Sequence, residues 1–120
     1  MDFNKFYWHD SVIKEIRIDR NNPGIADTII LEIKSDGQGL IDFQFEDVYW
    51  AKFTLNFGVV AQETILNAFV LDDNDSDLVG FYSKWKGAMD SVKLKCYLIN
   101  LNSTGGVIKI ISKSIRVISK

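Results

Sequence analysis

The sequence predicts a mainly β protein of the α+β kind. The expected architecture is an antiparallel twisted sheet or two-layer β-sandwich of about seven strands, with one amphipathic helix near 75–87. Three observations predict it. Apolar and polar residues alternate through most of the 120-residue chain, the period of a half-buried strand. Turn-forming clusters separate the alternating runs by short connections: NNPG (21–24), SDGQG (35–39) and NSTGG (102–106). One stretch only, DNDSDLVGFYSKWKG, changes to a helical repeat.

Each element has its own signal. In SVIKEIRIDR, Val12, Ile16 and Ile18 share one parity, with Glu15, Arg17 and Asp19 on the other. Ile29, Leu31 and Ile33 alternate with Thr28, Glu32 and Lys34. The pair Asp36-Gly37 then favours a tight hairpin. Ile41, Phe43 and Phe45 mark a third strand, and Phe53, Leu55 and Phe57 a fourth, with Glu46 and Asp47 at the turn between them. These four form a meander. GVVAQETILNAFVLDD reads as a loop or helical turn near 58–63, followed by a strand near 64–71. Leu78, Phe81, Tyr82 and Trp85 fall at i, i+3, i+4 and i+7 of a helix that Asp75 or Ser76 caps and Gly87 stops. SVKLKCYLIN and GVIKIISKSIRVIS supply the last two strands. One helix cannot cover so wide a sheet, so the sheet curls on itself or leaves a face for a partner.

Composition narrows the class. Length and composition (47% hydrophobic, 25% charged) suit one soluble domain over 1–120. The N-terminus lacks the basic start and apolar run of a secretory signal, and no segment approaches the roughly 18 apolar residues of a membrane span. The single cysteine, Cys96, excludes an internal disulfide and lies on the parity of Val92, Leu94 and Leu98, so it reads as a core residue. A cytoplasmic location is expected. The net charge of −2 hides an asymmetry: residues 26–83 hold eleven acids against Lys34 and Lys52, and residues 84–120 eight bases against Asp90. The two blocks either interleave as neighbouring strands or separate into faces that steer a partner.

Catalytic constellations are sparse. FYWHDS (6–11) runs three aromatics into the only histidine, but His9 has no second histidine or cysteine cluster to build a metal centre with. It has no GxSxG elbow to activate either, and the chain carries no phosphate loop. FYWHDS is expected to plug one end of the core with Phe6, Tyr7 and Trp8 and to start the first strand at Asp10-Ser11. In DDNDSD (72–77), Asp73, Asp75 and Asp77 match positions 1, 3 and 5 of an EF-hand, but Leu78 and Lys84 stand where glycine and glutamate are required. Helix capping and an acidic surface suit this stretch better. Lys93, Lys95, Lys109, Lys113 and Arg116 form a basic tail, yet the isoelectric point near 5.3 and the lack of an RNP-like motif argue against nucleic acid. No enzyme activity and no cofactor are expected.

FEDVYW (45–50) carries more information. Two large aromatics in succession on a strand, Tyr49 and Trp50, face opposite ways, so at least one approaches the surface beside Glu46 and Asp47. Exposed aromatics next to carboxylates are the usual anchors of protein interfaces. The expected partner-binding residues are therefore Glu46, Asp47, Tyr49 and Trp50 with Asp72, Asp73, Asp75 and Asp77.

WHDS (8–11), FEDVYW (45–50) and KSIRVI (113–118) together resemble a pattern of small bacterial proteins: an HDS-type start, an F-x-D-V strand and a final S-I-x-V strand. Some such families are similar to immunity proteins of polymorphic toxin systems, which bind and block a cognate toxin. The resemblance implies a cytoplasmic binding protein without cofactor or catalytic residues. It leaves the toxin and the oligomeric state open. Against a nuclease with a basic cleft, the aspartates of 72–77 would face the toxin. The competing expectation is a small-ligand or enzymatic β-domain with a pocket between sheet and helix, holding His9 or convergent carboxylates.

Overall fold

The computed structural model describes residues 2–22, 26–35 and 37–120. The alternating runs form one antiparallel sheet: β1 (Val12–Asn22), β2 (Ala26–Ser35), β3 (Gly39–Thr54), β4 (Ile65–Val70), β5 (Lys95–Leu101) and β6 (Val107–Ser119). The spatial order is β1-β2-β3-β6-β5-β4. Helix α1 (Ser76–Lys84) lies in the connection from β4 to β5. The expected turns at Pro23-Gly24 and Asp36 lie outside the described residues.

The strands number six because the expected third and fourth are one. β3 runs 16 residues without a turn at Glu46–Asp47. Its partner β6 is nearly as long and holds it in register from Ile41↔Ser119 to Thr54↔Val107. The irregularity that two adjacent acids suggest is absorbed within the strand. Asp47 adopts a left-handed φ of 52°, and the register slips between Val48 and Trp50, leaving Tyr49 as the extra residue of a β-bulge.

The sheet does curl on itself. At one end its two outer strands meet: Asp10 N–H donates to Ile65 O (2.9 Å), Ile65 N–H to Ser11 O (2.8 Å) and Ile13 N–H to Glu63 O (2.9 Å). Of the loop or helical turn expected near 58–63, the loop forms. That stretch is irregular, and Thr64 beyond it bridges Val12 and accepts from the Asn102 amide. A 3-10 turn at Phe3–Lys5 runs beside β4, where Asn4 Oδ1 accepts from the Val70 amide (2.8 Å).

Curling encloses the main core. Leu31, Ile33, Phe43, Phe45, Ile65, Ile108 and Ile110 are fully buried there. Phe3 and Trp8 close one end, with Trp8 stacked 4.6 Å from Phe43 and Phe6 5.0 Å from the same ring. Tyr7 departs from the expected plug: it is 65% exposed, in the irregular stretch before β1. On the other face, α1 covers a second cluster of Leu78, Leu94, Cys96 and Ile111. Burial pushes the Cys96 thiol up to about 12, with nearby Asp75 adding to it, so it stays neutral and inert as a core residue should.

The helix begins where the aspartates are. Asp75 is its N-cap, its Oδ2 accepting from the Asp77 and Leu78 amides. The helix stops earlier than expected, at Lys84: after the C-cap Trp85, Lys86 takes the left-handed conformation (φ 49°), and Gly87 (φ 87°) lies one residue beyond it. Tyr82 fastens the following loop: its hydroxyl donates to Val92 O (2.6 Å) and accepts from the Leu94 amide (2.9 Å).

Candidate functional site: the Tyr49–Trp50 ridge

The site follows from the halves of β3 being flanked differently. β2 pairs with β3 from Ser35↔Gly39 only as far as Ile29↔Phe45. Beyond that point β3 continues for nine residues beside β6 alone, and the start of β2 splays away. The bulge falls within this freed half. It raises Tyr49 and Trp50 as a ridge between two hollows.

One hollow, about 290 Å³, lies against the helix. Tyr49, Trp50, Asp77, Phe81, Lys84 and Trp85 line it. Tyr49 packs edge-on to Phe81 at 6.0 Å, and Phe81 lies 6.2 Å from Trp85. Tyr49 is 44% exposed and Trp85 50%, whereas Trp50 is half-buried against the second cluster. The other hollow, about 390 Å³, is the notch between the separating strands. Ile18, Asp27 and Ile29 form one wall, and Tyr49, Trp50 and Phe53 the other.

The expected site residues are distributed unevenly over this surface. Tyr49, Trp50 and Asp77 meet at the helix-side hollow. Glu46 lies just before the bulge, 3.7 Å from Arg116 across the ladder, and Asp47 is half-buried in the irregularity itself. Asp72 holds the Asn74 amide in the turn before α1, and Asp73 is exposed beside it. Asp75 is committed to the fold at both oxygens: Oδ2 caps the helix and Oδ1 receives Lys109 Nζ at 2.9 Å. Lys109 also reaches Asp77 at 2.6 Å. Burial alone would push the Asp75 carboxyl up, but the hydrogen bonds from Lys109 and the Leu78 amide outweigh it and hold it below its usual value. Lys109 is the mirror case: burial pushes it down, and its bonds to Asp77 and Asp75 raise it above the usual amine.

Charge therefore interleaves. Because β3 pairs with β6, the acidic block meets the basic tail at Glu46–Arg116 and at Asp42–Lys120 (3.6 Å). Arg17 joins this face, 3.3 Å from Asp42 and 3.0 Å from Glu15.

Phe81 and Trp85 escaped the sequence reading as site residues. Their helical spacing placed them in a buried stripe, yet only Leu78 of that stripe is fully covered. The signal was length: a nine-residue helix on a curled sheet cannot bury four large side chains. Phe57 (85% exposed), Val59 and Val60 also escaped it, because the alternation of Phe53, Leu55 and Phe57 outlasts the strand.

His9 stands apart from this surface. Its side chain is 52% exposed, Nδ1 donates to the Leu66 carbonyl (3.1 Å), and Nε2 lies 3.5 Å from Asp10. Among the described residues, no group of three or more His, Cys, Asp or Glu side chains is placed to hold a metal ion. Among the same residues, no helix is long and apolar enough to cross a membrane. A scan with protein-family models and a search of curated proteins return no match.

Proposed function

We propose that this protein is a non-enzymatic, cytoplasmic protein-binding module of the immunity-protein kind, which neutralises a cognate toxin by docking it on the Tyr49–Trp50 ridge. One observation carries the reading. A β-bulge in the half of β3 that pairs with β6 alone holds Tyr49 half in solvent beside the exposed Trp85, with Asp77 at the margin. Rigid aromatics on regular elements lose little entropy on binding, and bulges commonly re-aim side chains at such places. The acidic margin suits a basic partner. A ligand pocket between sheet and helix has less support: Leu78, Leu94, Cys96 and Ile111 fill the space under α1, and the hollow beside Tyr49 is lined by a single carboxylate, Asp77, and not by His9.

The test is co-expression with the product of the adjacent gene. A complex that co-purifies, with growth restored, is the expected result, and the Tyr49→Ala/Trp85→Ala double variant should lose both while keeping its melting temperature. No complex and no protection with any adjacent product would overturn the reading.

A further inference from the structure

The notch between β2 and β3 holds a polar group that the fold leaves unanswered. Asp27 lines it, and Asp27 Oδ1 is shielded from solvent without a hydrogen-bond partner among the described residues. Buried carboxylate oxygens are costly unless a donor reaches them. Two other buried oxygens share this condition, but their carboxylates are otherwise served. Asp42 has Arg17 at 3.3 Å and Lys120 at 3.6 Å, and Glu63 takes the Thr104 hydroxyl on its second oxygen at 2.6 Å. Arg20 also lines the notch, yet it donates nothing to Asp27 Oδ1.

The surroundings of that oxygen define what it would accept. Ile18, Ile29, Tyr49, Trp50 and Phe53 make the walls largely apolar and aromatic. A cation on an aliphatic stem matches all of them: the carboxylate takes the charged head, ring faces attract it, and the apolar walls cover the methylenes. The volume, about 390 Å³, is that of a ligand cleft. The geometry also provides a way for a chain to bring such a side chain. From Glu46 to Thr54, β3 has no β2 partner, so an extended segment in the notch would find a free backbone edge to pair with.

We infer that the notch receives a lysine or arginine side chain carried on an extended segment of the protein partner, with Asp27 as the acceptor of its ammonium or guanidinium. This rests on the protein-binding reading above and names the chemistry of its partner.

The test uses the full chain, isotope-labelled for NMR, titrated with the N-acetyl methylamides of lysine, arginine and norleucine. Saturable shifts at Asp27, Thr28 and the Trp50 indole N–H are expected with the two cations. Norleucine, with the same stem and no charge, should give none. Asp27→Asn should weaken cation binding at least tenfold, and so should Asp27→Leu. Both variants should melt at or above the parent temperature, because each removes a shielded carboxylate oxygen that no donor among the described residues reaches. Equal shifts with norleucine, or undiminished binding in both variants, overturn the assignment. Putrescine binding more than a hundredfold tighter than the lysine probe also overturns it, in favour of a free amine. A partner captured equally by the parent and by Asp27→Asn, with no probe binding, sinks the notch and leaves the protein-binding reading standing.

Discussion

The two halves of β3 belong to one strand and do opposite things. From Ile41 to Phe45 it is paired on both edges, and Ile41, Phe43 and Phe45 are all buried. From Val48 to Thr54 it is paired on β6 alone, bulged, and buries no side chain completely. A strand held on both sides is fixed in register and filled with core. A strand held on one side has room to change register and to expose a ring. Stability is thus concentrated in the first half, and the freedom that recognition uses in the second.

Substitutions sharpen this contrast, beginning with the largest effect. Phe43→Ala removes a ring packed on Trp8 and Phe6, and should cost about 3–5 kcal/mol in chemical denaturation. A loss below about 1 kcal/mol there would erase the distinction between the halves. Lys109→Ala, on the β6 stretch that backs the second half, leaves Asp75 and Asp77 facing each other without their shared cation. It should cost about 2–3 kcal/mol by the same measurement.

Acid should reveal the same cluster more weakly. Asp75 is held below its ordinary value of 3.8, so the unfolded chain takes up that proton first. Its contribution is complete above 3.8 and disappears as pH falls further, through the lower folded-state value. Denaturant midpoints compared at neutral pH and in this acid range should show the loss, and Asp75→Asn should reduce it. Tyr49→Ala, in the second half of β3, should change stability by less than about 1 kcal/mol, since its ring is half in solvent and packs edge-on to Phe81. A cost like that of Phe43→Ala would mean that the ridge is core and not a surface for a partner.

The sequence by itself determined the repeating units. Alternation around Ile29–Ile33 and Ile41–Phe45 is local, and it translates directly into strands with one face inward. β5 departs from that reading, since Cys96 is buried under α1 while Tyr97, on the opposite parity, is buried in the main core. The start of the helix was equally legible, because Asp75 caps it and capping chemistry acts within a turn, whereas its end falls at Lys84, before the expected Gly87. The eight proposed contact residues were legible only as residue types. Whether Asp75 was free for a partner depended on Lys109, 34 residues away in sequence, and whether Glu46–Asp47 made a turn depended on β6 lying alongside. Tertiary structure alone decided those points, together with the meeting of β1 and β4, the interleaving of acidic and basic blocks, and the notch at Asp27. The physical reason is the same throughout. Periodicity records which way a side chain points from its own backbone, whereas strand pairing, ion pairing and the place where two strands part depend on which distant segment arrives beside it.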